Sequence, residues 1–513
     1  MEVLARPTEH EDRSGPEMWI DEAIWGHRLH DEQSPWLTVL EFLCVLCAEH
    51  AQGRTLTEND FNTLSYLPQT QLRLRNLLFN NPHLGTILAT DLSDDAMWQS
   101  WLPRMEENAG GLDRPTFDYL RERFDTFRDF ASVVSFLQTS AIEGGSNKRW
   151  SSKFVFPFGT SALYEDVSVN AAGGVSTDRR FFARTGEVLY LMLCRSAHAA
   201  ELRDRLVKRL ITADAPYDGL VKALQGETQF ARQERAGAYL PCKTYPAFDR
   251  LAEDWIALLD LKIPVYDTFP HIVTMTGLHL ILYQLQRSAE ATGATGPITL
   301  VSEIVSPKRS VVRDLSADSF QANNALPQQA LEAYIRKIAA SQDWHDAIAS
   351  DEPGEKAAEL LAKHFDWPDL DDPDDAQGTP DALLERLVNR AIVRHKQHVG
   401  KVHSTWARLI GLSSRRASRR VRYAPTDRLL KTLVVCCVDR RLEFKDFLTL
   451  IYERYGFIIG DQQARSFIDA GTADQEDFSD NARRLEERLA SLGLLKRLSD
   501  SCAYVENPFQ RTA

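Results

Sequence analysis

Apolar residues recur at three- and four-residue spacing along most of the chain, which is the pattern of amphipathic helices. The stretch RPTFDYLRERFDTFRDFASVVSFLQTS shows it at Phe117, Leu120, Phe124, Phe127 and Phe130. Ser34-Pro35, before WLTVLEFLCVLCAEH, supplies the capping residue and first-turn proline of a helix start. The pattern predicts a mainly α protein whose first 140 residues are helical.

Strand patterns are confined to short stretches. KFVFPFG and ALYEDVSVN, between residues 144 and 174, are rich in β-branched and aromatic residues and are bounded by Gly and Pro. GPITLVSEIVS, at 296–306, is a second candidate for a short strand. The intervening VSTDRRFFARTGEVLYLMLCRS predicts a long helix capped by Ser176, Thr177 or Asp178. We therefore expect a small mixed α/β central region.

Length and composition predict several domains. A chain of 513 residues exceeds one ordinary domain, and the stretch DWPDLDDPDDAQGTP, with six aspartates and three prolines, has little to bury. We divide the chain into a flexible N-terminal tail (1–16), a helical N-terminal domain (17–140), a central mainly helical domain with short strands (141–365), an acidic linker (366–380), a basic helix and arm (381–423), and a C-terminal domain (424–513).

The C-terminal domain predicts a winged helix-turn-helix. APTDRLLKTLVVCCVDR indicates a helix, LEF a strand, and KDFLTLIYERYG a second helix. FIIGDQQARSFIDAG and DNARRLEERLASLG indicate two more helices, and LLKRLSDSCAYVENP indicates a hairpin. In such domains the last helix enters the major groove. Its basic residues, with those of the hairpin, are Arg483, Arg484, Arg488, Lys496 and Arg497.

Positive charge is concentrated in one segment of an acidic chain. The formal net charge is −13, yet 383–422 contains eleven Lys or Arg and one acid. Its candidate nucleic-acid contacts are Arg386, Arg390 and Arg394 on one helix face, and Arg415, Arg416, Arg419, Arg420 and Arg422 in SSRRASRRVRYAP. Such clusters are tolerated where a polyanion neutralises them, and a phosphate backbone is the densest one.

The charge of this segment is compatible with two roles equally well. The segment binds nucleic acid, or it forms a solvated surface against the acidic remainder of the chain. The C-terminal domain contains thirteen basic and fifteen acidic residues, so protein docking stays open for it as well. The basic arm favours duplex DNA bound with weak sequence preference. The alternatives are a protein-docking scaffold and a transcriptional regulator.

No familiar catalytic signature is present. The patterns G-x-x-x-x-G-K-[ST], G-x-S-x-G and H-E-x-x-H are absent. A metal-dependent nuclease built from Asp427, Glu443 and Lys445 remains a weaker alternative. Cys44 and Cys47 lie in an apolar helix, and we expect no catalytic residue, metal or cofactor.

The environment of several histidines and the location of the protein in the cell can also be predicted from the sequence. His395, His398 and His403 lie among Lys and Arg, and we expect them to be solvated rather than ligands. The run 268–286 predicts a buried helix, with His271 and His279 in the core. An odd number of cysteines and the absence of an apolar leader predict a cytoplasmic protein without membrane spans.

Two segments resemble a known group of proteins. They are FPFGTSALYEDVSVN with GGVSTDRRFFARTGEVLYLMLCRS, and YAPTDRLLKTLVV with LEFKDFLTLIYERYGFIIG and RRLEERLASLGLLKRLSDSCAYVENPF. Both resemble accessory proteins of bacterial multigene antiphage systems of the methylation-associated defence and BREX-like kind. The resemblance implies an antiviral setting in which a methyltransferase, an ATPase or helicase, and a nuclease are separate chains. It implies no active residue here.

Overall fold

The computed structural model describes residues 4, 16–27, 29–57, 64–71, 74–79, 81–108, 117–138, 141–142, 149–150, 159–163, 165–169, 175–178, 183–213, 215–226, 234–306, 310–370, 376–416, 418–499 and 502–509. Its helices are α1 (Pro16–Trp25), α2 (Pro35–Ala51), α3 (Leu74–Phe79), α4 (His83–Leu88), α5 (Asp94–Asn108), α6 (Asp118–Arg123), α7 (Phe127–Gln138), α8 (Thr185–Cys194), α9 (Ala199–Leu206), α10 (Asp218–Leu224), α11 (Pro246–Leu259), α12 (Val265–Thr292), α13 (Val311–Arg336), α14 (Gln342–Ile348), α15 (Pro353–Phe365), α16 (Pro380–Gln397), α17 (Val402–Leu409), α18 (Asp427–Cys437), α19 (Phe444–Tyr455), α20 (Arg465–Asp469) and α21 (Gln475–Ser491). The mainly helical class is confirmed.

The strands are short and form small sheets. They are β1 (Ser65–Tyr66), β2 (Thr70–Gln71), β3 (Ala141–Ile142), β4 (Arg149–Trp150), β5 (Glu165–Val169), β6 (Val175–Asp178), β7 (Arg235–Ala236), β8 (Leu300–Val301), β9 (Ser413–Ser414), β10 (Arg422–Tyr423), β11 (Arg441–Glu443), β12 (Phe457–Ile458), β13 (Leu495–Ser499) and β14 (Cys502–Glu506). The predicted strand at 153–158 lies outside the described residues.

The long helix predicted after residue 175 is wrong in its first part. Residues 175–178 form β6, which pairs antiparallel with β5, and α8 begins only at Thr185. Valine and threonine favour a paired strand at 175–178. The carboxylate of Glu41 accepts the Gly186 amide at 2.7 Å and so satisfies a donor at the later helix start.

Most of the buried apolar residues form one core around α12. This helix runs for 28 residues and is buried on almost every face, as predicted for 268–286. The same core includes residues of α2, α8 and α11 as well as Leu433 and Phe447 of the C-terminal region. A second core joins α3 to α7 around Trp98, Trp101 and Phe127. The domain boundaries inferred from composition stay a prediction.

The C-terminal region contains the elements in the order expected from its sequence. α18, β11, α19, β12, α20 and α21 are followed by the hairpin β13–β14, and β11 completes a three-stranded antiparallel sheet in the order β11-β14-β13. Residues 500 and 501 of the hairpin turn lie outside the described residues. Element order alone does not confirm the winged helix-turn-helix class.

Backbone and side-chain contacts fix this region to the segment after β8. β12 pairs in parallel with β8, with Phe457 opposite Leu300. Asn481 of α21 is fully buried; its Oδ1 accepts the Ile304 amide at 2.8 Å, and its Nδ2 donates to the carbonyls of Ser302 and Ile459. α21 and the 302–306 segment are therefore held in one fixed arrangement.

A buried polar network makes a second attachment, between α11, α12 and α19. Asp254 Oδ2 accepts hydrogen bonds from His279 Nε2 at 2.6 Å and from Tyr455 Oη at 2.7 Å. Arg454 Nη2 lies 2.5 Å from Asp254 Oδ1. Burial favours the neutral acid, but these partners outweigh it and hold the pKa of Asp254 below its ordinary value.

Of the helices in the described residues, none combines the length and the apolar character that crossing a bilayer requires.

Candidate nucleic-acid interface

The arginine-rich stretch forms a β-hairpin rather than a free arm. β9 pairs antiparallel with β10, and the loop 415–421 joins them; we call residues 413–423 the basic hairpin. Tyr423 is fully buried and its ring contacts Phe320 and His403. The ends of the loop are thus fixed to the core of the protein.

His403 helps to fix this base. Its Nε2 lies 2.7 Å from Tyr423 Oη, and its Nδ1 lies 3.1 Å from Asn324 Oδ1. Burial lowers the pKa of His403 to about 3, so the ring is neutral at ordinary pH. His395 is also buried, beside Asp21 and Trp25. The expectation that both histidines are solvated is wrong, because each faces a helix contributed by a distant part of the chain.

The prediction that Arg422 contacts nucleic acid is also wrong. Arg422 is fully buried, its Nε donates to Glu303 Oε2, and its Nη2 donates to the Arg416 carbonyl at 2.7 Å. Glu303 also accepts from Arg313 Nε, at 2.9 Å. Two buried guanidinium groups therefore share one carboxylate.

The other arginines of the basic hairpin are exposed. Arg420 Nη2 lies 2.5 Å from Asp318 Oδ1 on α13 and 3.1 Å from Gln321 Oε1. Arg415, Arg416 and Arg419 form no ion pair with any residue that the structure describes. Three cationic side chains of this loop are thus available to an external anion.

A cleft of about 850 Å³ lies between the basic hairpin and α21. Its lining residues are Ile304, Val305, Ser306, Ser414, Arg416, Ala424, Pro425, Thr426, Arg484, Glu487, Arg488 and Ser491. The cleft therefore brings Arg416 together with Arg484 and Arg488, which the sequence placed in separate segments. Serine and threonine hydroxyls stand beside these guanidinium groups. Cations and hydroxyl donors are the groups that hold phosphate oxygens in proteins.

The basic residues of α21 and the β13–β14 hairpin differ in their pairing. Arg488 pairs with Asp427 at 2.5 Å, Arg483 with Asp480 at 3.1 Å, and Arg497 with Glu486 at 2.6 Å. Lys496 is exposed and forms no ion pair among the described residues. Arg484 is half-buried, and its Nη1 is shielded from solvent without a hydrogen-bond partner in the described part of the chain. Arg484 is one of the residues that line the cleft.

The three arginines predicted on α16 do not line the cleft. Arg386 donates to the Gln377 carbonyl and lies 6.0 Å from the Trp367 ring centre. Arg394 donates to Gln397 Oε1 at 3.1 Å. Arg390 is exposed on the same helix. An anion in the cleft would therefore not touch them.

The residues of the nuclease alternative have other neighbours. Asp427 pairs with Arg488 at the start of α18, and Glu443 lies in β11 opposite Tyr504. Within the described ranges, one group of three potential metal ligands occurs, and neither Asp427 nor Glu443 is part of it. Lys445 is exposed on α19.

Sequence reasoning missed the residues that complete the cleft. Ile304 and Ser306 follow β8, more than a hundred positions before the basic hairpin, and Ser491 ends α21. Each is an ordinary residue in an ordinary local pattern. No signal along the chain connects them.

Comparison with known protein families gives a match over the C-terminal part of the chain. Residues 381–507 match the family model of the methylation-associated defense system protein MAD7. No curated protein and no solved structure matches the chain significantly. The matched quarter of the chain includes α16, the basic hairpin and α21. It confirms the resemblance of the C-terminal segment and supports membership of a methylation-associated defence system, while the central segment lies outside the match.

Proposed function

We propose that this protein is a non-enzymatic, cytoplasmic subunit of a phage-defence complex that binds duplex DNA with weak sequence preference. The observation that carries the proposal is the cleft, where Arg416 of the basic hairpin and Arg484 of α21 present guanidinium groups without ion pairs among the described residues. A guanidinium group can donate two hydrogen bonds to the oxygens of one phosphate, and this contact does not depend on the identity of the base. Contacts of this kind hold a duplex in place without selecting a sequence.

The C-terminal region acts in this proposal as a winged helix-turn-helix. The order of helices and strands in 427–506 and the sheet order β11-β14-β13 support that assignment. α21 takes the position of the recognition helix, and the β13–β14 hairpin, with exposed Lys496, takes the position of the wing. The basic hairpin extends the same surface.

The salt dependence of binding follows from the number of available cations. If Arg415, Arg416, Arg419 and Arg484 each neutralise one phosphate, affinity falls on the order of a hundredfold between about 50 and 200 mM salt. The paired arginines contribute less, because their carboxylate partners already neutralise them.

The deciding experiment compares two double variants that change net charge equally. Arg416→Glu with Arg419→Glu alters the loop, whereas Arg104→Glu with Arg128→Glu alters exposed arginines of α5 and α7. Fluorescence anisotropy with labelled duplex DNA should show weaker binding and a salt slope smaller by about 2 for the loop variant alone. Equal affinity and slope in the two variants would remove the basic hairpin from the interface.

A second candidate, a protein-docking scaffold, has its own support. Arg483, Arg488 and Arg497 are each paired with a carboxylate of the same region, which leaves this surface less basic than a dedicated DNA reader. Leu498 of β13 is 57% exposed, as suits a protein contact. Purified alone, a scaffold of this kind would not bind DNA at low salt, and that result would favour it over the first proposal.

The partners follow from the defence setting. We propose that in such a system the methyltransferase, the ATPase or helicase, and the nuclease are separate polypeptides. This subunit brings them to DNA. The protein then needs no active site of its own. Metal-dependent DNA cleavage that Glu443→Ala abolishes would replace this proposal with the nuclease alternative.

A further inference from the structure

We propose that His30, Asp31 and His398 form a binding site for a zinc ion, independently of DNA binding. One imidazole nitrogen of each histidine and one carboxylate oxygen of Asp31 lie within 4.8 Å of one another. Two imidazoles and a carboxylate are ligands that zinc prefers.

The distances within this cluster suit a shared ion better than direct contacts. Asp31 Oδ1 lies 3.7 Å from His30 Nδ1 and 3.7 Å from His398 Nδ1. Both separations are too long for hydrogen bonds. Ligand atoms about 2.0–2.2 Å from one tetrahedral zinc ion are separated by roughly 3.3–3.6 Å, which is close to the separations found here.

Two of these ligand atoms are shielded from solvent and lack hydrogen bonds. They are Asp31 Oδ1 and His398 Nδ1, neither of which has a hydrogen-bond partner in the described part of the chain. Leaving such atoms unsatisfied costs free energy, and a cation bound between them would remove that cost. The Glu32 amide donates to His30 Nδ1 at 3.2 Å, so this nitrogen is unprotonated, and zinc binding there would replace that hydrogen bond.

The surrounding charges favour a cation. A small adjoining cavity of about 20 Å³, enough for one water molecule, is lined by His30, His398, Asp21, Glu22 and Arg394. With Asp31, three carboxylates and one guanidinium group lie at this place, and Asp21 and Glu22 also lie beside His395 and His27. The basic neighbours of His398 along the sequence argue against a metal, but α1 and the turn after it supply the acids in space. The water-sized cavity can hold the fourth ligand of a tetrahedral ion.

The two histidine rings are stacked, with centres 4.2 Å apart and planes 27° from parallel. A metal ion lies near the plane of each imidazole that binds it, so zinc binding requires one ring to rotate out of the stack. The side chain of His398 is 31% exposed and has room for that rotation. Bound zinc would tie the turn after α1 to the end of α16, inside the segment that matches the defence family.

Zinc titration of the full-length, chelator-treated protein tests the site. Calorimetry and elemental analysis should give one zinc ion per chain for the wild type, with a rise in melting temperature. Asp31→Asn and His398→Gln, which keep side-chain size and polarity, should each lose that ion. His364→Gln, at an exposed histidine of α15, should retain it. Far-UV circular dichroism checks that each variant is folded.

Cobalt(II) substitution separates this site from zinc bound by cysteines. Cobalt at two imidazoles and a carboxylate shows visible bands without thiolate charge transfer, and Asp31→Asn should abolish those bands. The proposal is overturned if the wild type binds no zinc, if Asp31→Asn binds as the wild type does, or if the cobalt spectrum shows thiolate ligation. Should His398→Gln fail to fold, Asp31→Asn decides.

Discussion

Arg422 and Glu303 form a fully buried ion pair that joins the base of the basic hairpin to the segment after β8. Arg313 shares the same carboxylate. The pair therefore anchors the loop that carries the exposed arginines. Because it is buried, it does not itself contact an external anion.

Glu303→Gln should destabilise the protein strongly. The change leaves two buried guanidinium groups without a counter-charge, and removing one partner of a buried ion pair costs about 3–5 kcal/mol. Asp318→Asn is the matched control, because it breaks the exposed pair with Arg420 and should cost at most about 1 kcal/mol. Urea unfolding of the two variants measures the difference, and equal losses would contradict the assigned role of Glu303.

Arg484→Ala should weaken DNA binding more than Arg483→Ala does. Arg484 lines the cleft and forms no ion pair among the described residues, whereas Arg483 is paired with Asp480 on the same helix. The two changes remove the same charge one residue apart on α21, so a difference in anisotropy reports position rather than net charge. Indistinguishable affinities would place the DNA outside the cleft.

Asn481→Ala should lower both stability and DNA affinity. Its side chain makes three buried hydrogen bonds to the backbone at Ser302, Ile304 and Ile459, and each buried group left unsatisfied costs about 1–3 kcal/mol. Residues 304–306 and residues of α21 both line the cleft, so loosening their contact alters its shape. Thermal melts and anisotropy on the folded variant measure the two effects, and unchanged DNA affinity would show that the cleft does not depend on this contact.

His403→Gln should reduce the pH dependence of stability in weak acid. Burial lowers the pKa of His403 to about 3, against about 6.5 in the unfolded chain, so between these values only the unfolded state binds the proton. This residue therefore costs stability as pH falls below about 6.5, by roughly 1.4 kcal/mol per pH unit. Unfolding measured between about pH 4 and 6 should show a shallower slope in the variant. His364→Gln should leave the slope unchanged.

Asp254→Asn should also change the pH dependence of stability, but at lower pH than His403→Gln does. The pKa of Asp254 is held below its ordinary value, because its hydrogen bond from His279 and the charge of Arg454 outweigh the effect of burial. The stability that the ionised form contributes is complete above about pH 4 and is lost as pH falls through the lower folded-state pKa. The variant should be less stable at neutral pH and less sensitive to acid below about pH 4. Acid titration followed by circular dichroism tests both parts.

Several features were predictable because they depend on local sequence. The helical class follows from apolar spacing, and α12 follows from the uncharged run 268–286. The order of elements after residue 424 follows from alternating helix and strand patterns separated by turn residues. β6 was mistaken for the start of a helix, because Ser176, Thr177 and Asp178 were interpreted as helix caps, whereas they pair with β5, which ends six residues before β6 begins.

The sequence by itself determined that the protein is mainly helical, that its C-terminal quarter resembles a defence-system protein, and that its positive charge is concentrated near the carboxyl end. Only the tertiary structure decided which of those charges are available. Arg416 and Arg422 belong to one arginine-rich run, yet the first lines the cleft and the second is buried on Glu303. Asp31 likewise reaches His398 only through folding. The physical reason is that charge interactions depend on distance in space, and folding brings together residues that are hundreds of positions apart in the chain.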